Sequence, residues 1–144
     1  MKNILWMIIT ISAFLSADFT RDSNGIVSDN STGLEWQDAY SDNNNTMEQL
    51  NWSSALLYCE ELGLGGNSDW RLPNLNELYS VVDLASSSPA MDSTFLTIAS
   101  DYSWSSTSNN LSPEYAWVIY FNNGYISHIL KSKSYNVRCV RDSE

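Results

Sequence analysis

Two cysteines, Cys59 and Cys139, enclose most of the chain that follows an N-terminal stretch built like an export signal. That stretch has Lys2 as a positive n-region, Ile4 to Leu15 as an apolar run and Ser16-Ala17 as the small residues a signal peptidase needs. Residues 1–17 are therefore predicted to be a signal peptide and 18–144 a single domain. The apolar run meets Asp18, Arg21 and Asp22 after about 14 residues, whereas a membrane span wants roughly 20, so stable insertion is not expected. No cysteine follows the run closely enough for lipid attachment. The expected location is secreted or periplasmic, where exported cysteines are oxidised and stay paired. A bridge between these two would close a loop of about 80 residues, for which the chain-entropy model gives roughly 4 to 5 kcal/mol. A redox or metal-binding pair would need a short Cys-x-x-Cys spacing or a histidine cluster, and the chain has one histidine.

About 127 residues remain after the signal, enough for one core and one domain. Without Lys2, six basic side chains face 17 acidic ones. Long-range repulsion disfavours nucleic acid, anionic lipid and sulfated glycans as partners. Arg138, Arg141, Lys131 and Lys133 form a local basic group near the C-terminus, which a solvated strand edge would explain. Trp36, Trp52, Trp70, Trp104 and Trp117, eight tyrosines and abundant Asn and Ser match a compact, loop-rich extracellular domain and also the surfaces that bind sugars.

From Phe19 to Trp36 the pattern predicts strand pairs, with turns at Asn24-Gly25 and Thr32-Gly33. The run from Asp22 to Gly25, with Asp29 beyond, faintly suggests a calcium loop but lacks the Glu at the twelfth position, so a hairpin turn is favoured. Asp42 to Thr46 reads as a polar loop. A helix is predicted from Asn51 as N-cap to Leu62, ended by Gly63, with Trp52, Ala55, Leu56, Cys59 and Leu62 on one face. A second helix opens at Asn74 with Glu77 as capping-box partner and turns Leu75, Leu78, Tyr79 and Val82 inward. Between them Trp70, Arg71, Leu72 and Pro73 form a structural motif: a core strand entering the helix, with Arg71 holding a carboxylate or loop carbonyls. Trp36 and Trp117 read as core. Ser86 to Asn110 is a long irregular stretch, and loops of that length inside compact domains are often functional. Strands are expected again at Tyr102–Ser106, Ala116–Phe121, Tyr125–Ile129 and Asn136–Arg141. The fold class is α+β.

Several strings together carry a family resemblance: Asp29 to Gln37, Ala55 to Cys59, Ser68-Asp69-Trp70-Arg71-Leu72-Pro73, Glu77-Leu78, Trp104 to Thr107, Ala116-Trp117 and Val137-Arg138-Cys139-Val140-Arg141. In this order and spacing they resemble a bacterial family known as the C-terminal domain of the Lcl collagen-like adhesin, over about Asp22 to Asp142. The resemblance implies a C-type-lectin-like fold: two helices beside a twisted antiparallel sheet, a long loop region, termini brought close together, and a bridge from the first helix to the last strand. It also implies attachment through surface polysaccharides, although the acidic balance disfavours the sulfated ones. The Glu-Pro-Asn or Gln-Pro-Asp and Trp-Asn-Asp triplets of calcium-dependent lectins are absent, so no cofactor or metal is assigned.

Sequence reasoning places a ligand site on the long loop and the strand tips around it. Tyr102 and Trp104 would stack on a sugar face, while Asp101, Asn109, Asn110 and Glu114 would bond hydroxyls or hold a cation. Enzyme chemistry is not expected. His128 reads as a strand side chain and the bridge occupies both thiols. Acid pairs for glycoside hydrolysis, such as Glu60 with Glu61, Glu77 with Asp83 or Asp101 with Glu114, would need the fold to bring them together. The expected function is an exported binding module for carbohydrate or another surface component. The alternative is a protein-interaction or oligomerising unit of the envelope.

Overall fold

A computed structural model describes residues 19–144. The predicted signal peptide lies outside the described residues. The observed class is α+β, with two helices and two sheets. β1 (Phe19–Arg21), β2 (Ile26–Asp29), β3 (Leu34–Gln37) and β9 (Val140–Asp142) form an antiparallel sheet in that order. The second sheet has the order β4 (Gln49–Leu50), β8 (Tyr135–Asn136), β5 (Tyr102–Ser108), β6 (Tyr115–Tyr120) and β7 (Tyr125–Leu130). Its pairings are antiparallel except for one parallel contact, Ser103 to Asn136, between β5 and β8.

Local chemistry sets most of the elements. Asp22 accepts from the backbone N–H groups of Asn24 and Ile26, and Gly25 takes φ +78°, closing the β1–β2 hairpin as a turn. Helix α1 (Trp52–Glu61) begins where the Asn51 side chain accepts from the Ser54 N–H, and it buries Ala55 and Cys59. Helix α2 (Leu75–Ser80) carries a complete capping box between Asn74 and Glu77.

On β6, adjacent residues point to opposite faces, so Val118 joins a core with Ala55, Cys59, Trp70 and Trp104, while Ile119 joins one with Val27, Trp36, Leu78 and Phe95. Cys59 and Cys139 are bridged with Cα atoms 5.4 Å apart. Cys139 lies between β8 and β9, where the chain leaves one sheet for the other, so the bridge fixes α1 to that crossing.

Five expectations need correction. The strands form two sheets instead of one, and the expected strand Asn136–Arg141 is divided between them. Trp117 is half-exposed: Ala116 and Val118 take the inner face of β6 beside α1. Tyr79 is exposed because α2 ends at Ser80, and the inward position is filled by Val81. Trp70 to Pro73 contains a single bridge, Arg71 to Val140, in place of a strand. Arg138 and Arg141 are buried, each held by carboxylates, and do not form a solvated basic edge. Among the described residues no helix is long and apolar enough to cross a membrane.

Candidate functional site

A cleft of about 670 Å³ lies at the β4–β8 end of the five-stranded sheet. One wall is the segment from Asn43 to Gln49. Asn44 and Asn45 both adopt positive φ, 51° and 59°, a conformation Asn tolerates better than most residues. Their turn is tied by the Asn43 and Asn45 N–H groups donating to the Tyr40 carbonyl at 3.0 and 2.8 Å, and by Asn43 Nδ2 donating to the Thr46 carbonyl at 3.1 Å. Tyr40 is fully buried and donates to the Val137 carbonyl at 3.0 Å; burial pushes its phenol above the ordinary range.

The opposite wall is Leu96 to Ala99, part of the long loop between α2 and β5. A buried ion network holds it. Asp38 accepts from the Leu96 and Thr97 backbone N–H groups at 2.9 and 3.1 Å, from Arg21 Nε at 2.6 Å and from Arg138 Nη1 at 3.1 Å. Arg138 also donates to the Gln37 and Thr97 carbonyls, lies over the Phe95 ring and comes within 3.8 Å of the Met47 sulfur. The cleft-lining residue Asn136 donates to the Tyr102 carbonyl at 3.0 Å and accepts from Gln49 at 3.3 Å. The lining is thus carboxamide and hydroxyl groups, one carboxylate in Glu48, and an apolar strip from Met47, Leu96 and Ile98.

The six residues chosen from the sequence do not form one site. Asp101 and Tyr102 lie at the start of β5, whereas Asn109, Asn110 and Glu114 lie in the β5–β6 turn. At about 3.3 Å per residue, the seven-residue strand keeps these groups roughly 20 Å apart. Trp104 is fully buried and its Nε1 donates to the Leu50 carbonyl at 2.8 Å, so it has no face for a sugar. Tyr102 stacks at 4.7 Å on Tyr120 and meets Tyr135 edge-on. The Asn109 side chain accepts from the Leu111 N–H within its own turn. None of the six lines the cleft. Of the lining residues, Leu96 to Ala99 belong to the long loop on which the sequence places a site, whereas Asn43, Asn45 and Thr46 belong to the expected polar loop; the one signal for that first wall is the Asn43-Asn44-Asn45 run, whose amides tolerate left-handed backbone.

The same separation divides Asp101 from Glu114. Glu77 is forked by Arg71 at 2.8 and 2.7 Å; burial works against its charge, but that fork and the Asn74 N–H outweigh it and hold the carboxyl below its usual range. Asp83 bonds the Ala85 N–H and the Ser86 hydroxyl. His128 stands on β7 with its ring edge-on to Tyr115 and Trp117, each at 5.3 Å. The motif residues pack inward: Trp70, Leu72 and Pro73 are buried, and Arg71 joins Glu77 to Asp142.

Residues 25–141 match the family described as the Lcl C-terminal domain. The chain belongs to the Lcl C-terminal domain family. The match covers both sheets from β2 to most of β9, both helices and both walls of the cleft. No curated protein matches the chain. In this Lcl C-terminal domain the strings Trp70 to Pro73 and Val137 to Arg141, distant in sequence, meet through the bridge between Arg71 and Val140.

Proposed function

We propose that this Lcl C-terminal domain is an exported, non-catalytic binding module of the bacterial surface or envelope, with a C-type-lectin-like fold, whose cleft takes uncharged carbohydrate. The observation that carries the reading is the cleft itself: the Asn45 and Gln49 amides and the Thr46 hydroxyl, with the buried Asn136 amide holding Gln49, beside an apolar strip from Met47, Leu96 and Ile98. Carboxamides offer donors and an acceptor on one group, which suits ligands whose hydroxyls both give and take hydrogen bonds. An apolar strip suits the C–H face of a sugar ring. The walls are held in place by Asp38 and Arg138, so little ordering cost accompanies binding. Net charge near −10 opposes sulfated or phosphorylated polymers. Calcium is not part of this reading, because Glu48 is the one carboxylate lining the cleft and calcium sites use six to eight oxygen ligands.

The test is a glycan array of the oxidised protein, read with calcium and with a chelator, with Glu48→Gln and Gln49→Ala beside the parent. Chelator-resistant binding to neutral glycans that falls about tenfold in each variant, one hydrogen bond's worth, supports the site. Unchanged binding in both variants overturns the cleft, and a blank array overturns carbohydrate.

A further inference from the structure

We infer that the outer edge of β7 pairs antiparallel with β7 of a second copy of this chain, joining two five-stranded sheets into one. In the ladder with β6, the Lys131 N–H donates to the Glu114 carbonyl at 2.9 Å and Tyr115 stands opposite Leu130. Hydrogen-bonded pairs alternate along an antiparallel ladder, so residues 125, 127 and 129 bond inward. The N–H and C=O groups of Ile126 and His128 and the N–H of Leu130 therefore point away from β6, while the Leu130 carbonyl already accepts from the Lys133 N–H at 3.0 Å. Among the described residues β7 ends the sheet, so these groups have no outer strand. Protein edges are ordinarily blunted by Lys, Pro, inward charges or bulges, and Tyr125–Leu130 has none of these.

The pattern on this edge is self-complementary. A two-fold axis through His128 places Ile126 opposite Leu130 of the second copy, and Leu130 opposite its Ile126. Both side chains are exposed, 41% and 37%, on the face that carries Trp117. Lys131, just past the strand, is turned away from the axis: its Nζ donates to Ser108 Oγ at 2.7 Å and lies 4.1 Å over the Trp52 ring. The strand itself is uncharged, so the acidic excess of the chain is kept off the axis.

Pairing at β7 leaves the cleft untouched, because β4 and β8 lie at the opposite edge of the same sheet. With about 4.8 Å between strands, two clefts would sit roughly 40 Å apart on one ten-stranded sheet. A repetitive surface engaged at both would be held with avidity roughly 100-fold or more above a single cleft.

His128→Cys tests the axis directly. A hydrogen-bonded antiparallel pair has Cα atoms about 5.5 Å apart, within disulfide range, so this variant should become a reducible covalent dimer on air oxidation. Leu130→Cys should not, because its symmetry mate lies about four residues, roughly 13 Å, along the ladder. Light scattering should give a dimer for the parent and a monomer of unchanged circular dichroism for Ile126→Lys. A parent that stays monomeric at every concentration overturns the inference. So does a dimer that survives Ile126→Lys, or equal cross-linking of the two cysteine variants.

Discussion

Asp38 and Arg138, 100 residues apart in sequence, meet at 3.1 Å with both side chains buried. Asp38 also receives Arg21 and the N–H groups of Leu96 and Thr97, so one carboxylate joins the end of β3, the crossing between the sheets and the wall of the cleft. This contact holds the Leu96–Thr97 part of the long loop, while Ala90, Met91 and Phe95 anchor the preceding part in the core.

Asp38→Asn should cost about 3–5 kcal/mol, because it leaves Arg138 as a buried charge without its counter-ion. Urea unfolding measures the loss. Hydrogen exchange should show the Leu96 and Thr97 amides opening first, since both lose an ionised acceptor. A stable variant with those amides still protected would show that the loop is held by other contacts.

Replacing Cys59 and Cys139 together by serine should lower stability by about 4.5 kcal/mol, the chain-entropy value for a bridge spanning 80 residues. The variant should also show greater exposure of the segment between β8 and β9. Denaturant titration of the oxidised parent and the double variant gives the difference.

The elements legible in the sequence are those whose causes are local. Asn51 and the Asn74–Glu77 box announce both helix starts, and Asn24-Gly25 and Asn123-Gly124 announce hairpin turns, because each is decided by a few neighbouring backbone groups. The choice between Trp104 and Trp117 was not legible. Trp104 sits in a strand otherwise of Tyr, Ser and Thr and Trp117 in an apolar one, which points to the opposite choice, and only the position of α1, set by the tertiary fold, covers Trp104 and leaves Trp117 partly exposed. The site failed for the same reason. Arg138 looks like one more surface cation until Asp38 and Thr97 are brought beside it, and Asp101 looks close to Asn109 until β5 extends between them.

Glu77→Gln should destabilise the protein by about 1–2 kcal/mol near neutral pH, since it removes the charged acceptor of the Arg71 fork and weakens the cap of α2. The Glu77 carboxyl is held below its ordinary value, so its contribution is complete above about pH 5 and is lost as pH falls through the depressed value. The gap between parent and variant should therefore close in acid. Thermal midpoints taken from pH 7 down to pH 3 test this, and a gap that widens in acid would show that the carboxyl is not stabilised by folding.

Gly25 and Gly66 separate two costs that are usually confounded. Both take positive φ, 78° and 82°, so alanine at either meets the same backbone penalty of about 1–2 kcal/mol. At Gly66 a Cβ would meet nothing within 4 Å. At Gly25 it would lie 2.4 Å from the Ala39 Cβ and 3.2 Å from the Ala39 Cα and N, which cannot swing aside. That overlap adds about 1–3 kcal/mol. It also strains the hydrogen bond from the Asp38 N–H to the Gly25 carbonyl, 2.8 Å, and so reaches the carboxylate that holds the cleft wall. Gly25→Ala should thus be the less stable by about 2 kcal/mol and should speed exchange at the Thr97 amide, while Gly66→Ala leaves that amide protected. Equal midpoints for the two variants would mean that the β1–β2 turn yields where it touches Ala39, and that its close approach does not support the Asp38 network.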